Sequence, residues 1–363
     1  MKQKILICGL VFLIIMVAIG IVFVKSGKPN TGIVSGQKAE TVSKKAVSLS
    51  VASKEDDTFS LLFFGDAMLD RQIRTVIEKR GASFLIEKMK QFFIAPDGAV
   101  FNLEGPVTKN ASVSQNTVPG DKGHMSFTFD EEMTKNFLKS TKANAIFLGN
   151  NHILNFGKAG LSDTENFLKE NSIGYFGDIK GQSEHLQKEI GGERIVFIAF
   201  NQFFGGTAQS AMDKIRELKK TNDFVVLYAH WGVEYAREES EQQKAWAHGF
   251  VDAGADLVIG SHPHVVQPVE IYKNKAIFYS LGNFVFDQYF SPETTSGLAV
   301  EVSAKENALD FNLSSLSLNR DGSTTLTEGK KKDDLLLWLS ENSNASSELK
   351  NSLKTGYFQL ENK

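Results

Sequence analysis

Asp256-Leu257-Val258-Ile259-Gly260-Ser261-His262-Pro263-His264 is the stretch from which the fold can be read. Its apolar run is too short for a helix and lacks polar alternation, which marks a strand buried on both faces, as in the sheet of an α/β domain. The run ends in a turn carrying two histidines around a proline. Four other runs end alike: Phe59–Phe64 into Gly65-Asp66, Ala99–Phe101 into Asn102-Leu103-Glu104-Gly105-Pro106, Ala145–Leu148 into Gly149-Asn150-Asn151-His152, and Phe224–Ala229 into His230-Trp231-Gly232. In open α/β sheets sites assemble at the carboxyl ends of strands, so these side chains can converge although they lie far apart in the chain.

The remaining pattern fits the same class. Ile195–Phe200, Ala276–Ser280 and Leu298–Val302 read as further strands, and Ala99–Asn102 and Asp256–Ile259 complete their runs. Amphipathic segments at Arg71–Phe93, Glu131–Leu138, Ala159–Glu170, Ala211–Lys220 and Glu241–Ala253 lie between them, the last closed by Gly254. The 363 residues are 42% hydrophobic and 23% charged, the balance of a folded protein rather than a disordered one. A net charge of −3 supplies no field to attract nucleic acid, which is not expected as a partner. Cys8 is the single cysteine, so a metal site must use oxygen and nitrogen ligands.

Ile5–Val24 is apolar apart from glycine and flanked by Lys2, Lys4 and Lys25; at 1.5 Å rise it is about long enough to cross a hydrocarbon core. Residues 1–25 therefore read as a membrane anchor. A cleaved signal peptide fits less well, because the run is long and no small-x-small cleavage site follows. Flanking charge does not decide the orientation; a start this short places the body outside the cell, as a single-pass protein of the cell membrane. Residues 26–57 read as a flexible stalk, 58–320 as the α/β domain, and 321–363 as a polar, peripheral tail with one short amphipathic stretch at Leu335–Leu339.

Asp66 and Glu104 offer anionic oxygens, Asn151 a carbonyl oxygen, and His230, His262 and His264 imidazoles. This mixed set suits manganese, iron or zinc, as one or two ions. Taken alone, Asp66 would read as a helix cap; five strands ending in metal-competent residues favour ligation. His152 is free either to protonate a leaving group or to orient Asn151. Arg71 offers a fork to an anionic substrate, or a helix-surface ion pair. Asn110–Phe129 is long and polar enough to form a flap, making Lys122 and His124 candidate substrate contacts. Asn283 and Asp287 read as a structural turn beside the site, and His248 as a partnered helix histidine. No phosphate loop, nucleophile elbow or H-E-x-x-H helix is present in the sequence.

Gly65-Asp66-Ala67-Met68-Leu69, Asn102–Pro106, Asn150-Asn151-His152, His230-Trp231-Gly232-Val233-Glu234, Gly260–Val265 and Tyr279–Asp287 together resemble the CapA family, also called PgsA, of bacterial poly-γ-glutamate capsule biosynthesis proteins. The resemblance covers roughly Thr58 to Ser303. It implies a four-layer α/β/β/α sandwich like the metallo-dependent phosphatases, preceded by one transmembrane helix. It also implies that Asp66, Glu104, Asn151, His230, His262 and His264 hold the metal while His152 assists the leaving group. Met68 stands where such phosphatases carry a histidine, and Glu104 replaces their aspartate. Two function classes follow: an accessory to polymer synthesis or export, working with membrane-bound polyglutamate synthase components, or a metal-dependent hydrolase of a phosphoester or γ-glutamyl polymer.

Overall fold

The computed structural model describes residues 58–177, 185–204 and 206–361; the expected anchor and stalk lie outside the described residues. The chain divides into two units, Met1–Ser50 and Val51–Lys363, and the second contains every element below. Among the described residues no helix is long and apolar enough to cross a membrane.

Among the described residues, fifteen strands and seven α-helices follow in order: β1 (Phe59–Ala67), α1 (Arg71–Arg80), β2 (Gly98–Leu103), α2 (Glu131–Ser140), β3 (Ala143–Phe147), α3 (Gly157–Glu170), β4 (Gly174–Phe176), β5 (His185–Ile190), β6 (Glu193–Asn201), α4 (Ala208–Leu218), β7 (Phe224–His230) and α5 (Glu241–Ala253). Then come β8 (Leu257–Ser261), β9 (Val269–Tyr272), β10 (Lys275–Phe278), β11 (Asn283–Val285), β12 (Ser296–Lys305), β13 (Ala308–Leu318), β14 (Thr324–Leu326), α6 (Gly329–Asn342), α7 (Ser347–Thr355) and β15 (Tyr357–Glu361). All eight strands expected from the sequence form, with shifted ends.

One sheet has the order β14-β13-β12-β1-β2-β3-β4, with β11 added to β1 and β15 to β13; the other is β5-β6-β7-β8-β10-β9. The period-two geometry of a strand builds the layers. On β1, Phe59, Leu61 and Phe63 enter one core with Phe224, Val226 and Tyr228 of β7, so the sheets pack face to face. Leu62 and Phe64 turn the other way, toward α1, α2 and α3. Val225, Leu227 and Ala229 turn from β7 toward α4 and α5. The domain is thus a mixed α/β fold with helices outside two stacked sheets. Tyr228, fully buried, donates its hydroxyl to the Phe64 carbonyl at 2.6 Å, one polar tie between the sheets.

Two expectations are corrected. Arg71–Phe93 is not one helix: Gly81 takes φ 82°, α1 stops, and a tighter 3₁₀ segment at Ala82–Phe93 follows, burying Leu85, Ile86, Met89 and Phe93. The tail after Leu318 is not peripheral either. β14 and β15 both pair with β13, and Leu336, Leu339, Leu353, Phe358 and Leu360 fill the core between the sheets.

Candidate functional site

The site is built where five strands stop. β1 and β2 are parallel, in a register that sets Asp66 beside Asn102; Asp66 also lies beside Asn283 of β11. β7 and β8 set His230 beside Ser261. Close backbone approach makes this possible: a Cβ on Gly65 would lie 1.8 Å from the Gly282 carbonyl, and one on Gly260 2.0 Å from that of Tyr279. Beyond β8, His262 and His264 both adopt positive φ, 98° and 58°, around Pro263. Such backbone is strained for side chains other than glycine and concentrates at functional sites.

Asp66, Glu104 and His264 converge with ligand atoms within 4.8 Å of one another, all buried. Asn151, His230 and His262 form an adjoining group. His230 Nε2 lies 3.0 Å from Asn151 Oδ1 and 3.2 Å from His262 Nδ1. The His262 backbone N–H donates to Asp66 Oδ2 at 3.1 Å, joining the two groups. All six expected ligands are therefore brought together, although they come from five loops.

The surrounding hydrogen bonds fix which atoms carry lone pairs. Asn283 donates its amide to His264 O, Gln288 Oε1 and Thr294 O, which aims its Oδ1 at His264 Nδ1, 3.0 Å away. The hydrogen is thereby held on Nδ1, and Nε2 faces Glu104 Oε1 at 3.5 Å. That oxygen is buried and has no hydrogen-bond partner. On the other side, Ser261 Oγ donates to Ala229 O and so accepts from His230 Nδ1 at 3.1 Å, leaving His230 Nε2 as a lone pair opposite Asn151 Oδ1. Buried acceptors that face each other need a proton or a cation between them. The donor set, two carboxylates, one amide oxygen and three imidazoles, fits a divalent metal.

Electrostatics agree. Burial opposes charge on His264, yet the Glu104 and Asp66 carboxylates push it up to about 9. Burial also works against ionised Asp66, but His264, Asn102 and the His262 N–H hold it below its ordinary value. Burial, aided by the Asp66 charge, pushes Glu104 well above the carboxylate range. Burial and the neighbouring imidazoles push His262 down to about 3 and His230 well below its ordinary value. A proton on His264 thus does for the metal-free cluster part of what a cation would do.

His152 borders this cluster. Its Nδ1 lies 3.0 Å from Asn155 Oδ1, which also accepts from the Phe127 N–H, and its Nε2 points toward Glu104 Oε1 at 3.9 Å. Burial pushes it down to about 4, so the ring is neutral near pH 7. Arg71 sits close by, at φ 50°, ion-paired with Asp287 and held between the Phe127 and Phe286 rings. The loop before Phe129 is pinned: Ser112 Oγ and Thr128 N–H donate to Asp70 at 2.6 and 2.8 Å, and His124 Nε2 meets Arg71 Nη1 at 3.2 Å. It is tied down on α1 rather than a free flap, and Lys122 on it lies exposed.

Some functional positions escaped the sequence reading. Asn102 donates to Asp66 at 2.7 Å and contacts Glu104 and His230, while its Oδ1 accepts from Asn150; it orients both halves of the cluster. Its place in the β2 run beside Glu104 was the available signal. Met68 is buried in the helix-side core with Sδ accepting from the Asp70 N–H at 3.0 Å, so that position serves packing.

The family model for bacterial capsule synthesis proteins, PGA_cap, matches residues 60–288, which contain the whole cluster. The chain belongs to this family. It is 32% identical over 283 residues to the PGA biosynthesis protein CapA of Bacillus subtilis, covering 72% of each chain. It is 30% identical over 270 residues to the capsule biosynthesis protein CapA of Bacillus anthracis, covering 68% of this chain and 64% of that one. Among solved structures, TT1561 of Thermus thermophilus aligns over 68% of this chain and 98% of its own at 9% identity, with a TM-score of 0.40, too low to bear weight.

Proposed function

We propose that this PGA_cap protein serves poly-γ-glutamate capsule synthesis from the outer face of the cell membrane, anchored by Ile5–Val24, beside membrane-bound synthase components. Kinship with the two Bacillus CapA proteins supports the pathway. The observation that carries the site is the set of opposed buried acceptors, above all the unpartnered Glu104 Oε1. Asp66, Glu104 and His264 would hold one divalent ion, and Asn151, His230 and His262 a second or a share of the first, in a phosphatase-like sandwich. A metal bound there supplies Lewis-acid polarisation of a phosphoryl or carbonyl oxygen.

The second reading, a metal-dependent hydrolase, is favoured by His152. Its neutral ring turns Nε2 toward the cluster, 3.9 Å from Glu104 Oε1, where it could take a proton from an attacking water and return it to a departing oxygen. Arg71, beside it, would orient an anionic substrate, with Lys122 as an outer contact. Replacing the chromosomal gene with Asp66→Asn, His152→Ala or a version lacking residues 1–25 separates the readings. Capsule loss on removal of the anchor, with capsule kept in both site variants, supports the accessory role. Capsule loss in the site variants supports hydrolysis.

A further inference from the structure

We propose that the site takes an amphiphile: a phosphate or phosphoester head at the Asp66–Glu104–His264 cluster, with a hydrocarbon chain lying across an apolar rim. This deepens, and rests on, the reading of the cluster as cation-holding. Most of the large apolar side chains exposed in the described residues fall on loops at this end of the strands: Phe203 and Phe204 after β6, Val233 and Tyr235 after β7, Phe290 after β11, and Met125 in the loop before Phe129. Val233 and Phe290 are each 64% exposed. Such clustered exposure marks a binding surface.

The rim is continuous with the cluster. The Phe203 ring centre lies 4.4 Å from that of His262 and 5.9 Å from that of His230. Tyr235 lies 6.2 Å from His264, and Phe290 meets Tyr235 edge-on at 5.1 Å. These rings are held outward rather than left loose. Asn201 Oδ1 accepts from the N–H groups of Phe203 and Phe204 at 2.8 and 3.3 Å. Tyr235 keeps φ 65°, tied by its N–H to the Pro263 carbonyl at 2.8 Å and by its hydroxyl to Gln288 at 3.3 Å. An aromatic residue at positive φ, exposed beside a reactive cluster, is backbone strain retained for use.

Charge decides what lies on the rim. A polyanionic chain would need free cations along its path. Arg71, at the cluster and already paired with Asp287, can meet one anionic head but not a run of carboxylates, while Arg237, on the Tyr235 loop, is turned to Glu293 at 3.6 Å and lies over the Trp338 ring. Glu234 stands between Val233 and Tyr235 and adds negative charge; burial first, and then that charge, push Tyr235 up. A hydrocarbon chain suits this surface and a run of carboxylates does not.

The test uses the fragment Val51–Lys363, which contains both sheets and all three cores, loaded with manganese, and calorimetric titration with butyl and octyl phosphate below micelle formation. A methylene half-covered by the rim is worth about twofold, so four more methylenes should tighten binding about tenfold or more. Phe203→Ala and Tyr235→Ala should bring that ratio to within about threefold while metal content and circular dichroism stay unchanged. Equal affinity for the two phosphates in a metal-loaded fragment overturns the amphiphile proposal alone. A ratio unchanged in both variants overturns the rim assignment. A fragment that binds neither metal nor phosphate overturns the cluster reading beneath it. Equal binding of the fragment and its Asp66→Asn variant to neutral phosphatidylcholine vesicles would replace the proposal with a membrane-docking face.

Discussion

Raising the pH from 7 to 9 will tighten divalent-metal binding by about fiftyfold through His264 alone. His264 titrates near 9 because two carboxylates flank it, so at pH 7 a metal must first displace its proton. Two pH units below that value the competition costs about 2.7 kcal/mol, and it falls to about 0.4 kcal/mol at pH 9. Glu104, also pushed up, steepens the dependence, whereas His262 and His230 are neutral throughout this range and add nothing. Calorimetry in buffers of different ionisation enthalpy counts the protons directly; about one to two should leave per metal bound at pH 7. The metal-free protein shows the converse. A raised imidazole value stabilises fully below its ordinary 6.5, and that stabilisation is lost as the pH rises through about 9, up to about 3 kcal/mol. Affinity that is flat between pH 7 and 9, with no proton released, would mean that no protonated His264 competes with the metal.

Other outcomes follow from the same structure. Because His262 is held near 3, the unfolded chain binds a proton that the native chain refuses below pH 6.5; stability should fall on acidification by about 1.4 kcal/mol per pH unit for this group, read by urea denaturation. Gly260→Ala puts a methyl 2.0 Å from the Tyr279 carbonyl and should destabilise by about 3 kcal/mol or more, or prevent folding, as a melting curve will show. Truncation after Leu318 removes five core side chains worth about 10 kcal/mol, comparable to a whole domain's stability, and should leave insoluble protein where a peripheral tail would leave soluble protein.

The strands that carry the site were legible because they are buried on both faces and read as unbroken apolar runs. Their polar endings were legible for the same reason: Asp66, His230 and His262 interrupt sequence that otherwise belongs to the core. β13 and β15 were hidden by alternation. In β15, Phe358 and Leu360 are buried while Tyr357, Gln359 and Glu361 are exposed, so the segment looks polar on average although one face completes the core. The Arg71–Phe93 periodicity carries across Gly81 because the 3₁₀ segment also buries one side, and only the left-handed backbone at Gly81 ends the helix. Asn102 was passed over because an asparagine inside a strand run announces no chemistry; its role arises from parallel pairing with Asp66, a register that no local pattern specifies.

A divalent ion held by the buried acceptors around Glu104 is what the reading of this site stands on. Its most direct test is the metal content, by mass spectrometry, of chain purified after supply of manganese, iron or zinc, beside an Asp66→Asn, His264→Ala double variant whose circular dichroism matches the parent. One or two ions per chain are expected in the parent, with a loss of at least one in the variant. A folded parent that retains no metal under any supply, or a variant that retains as much as the parent, would contradict it.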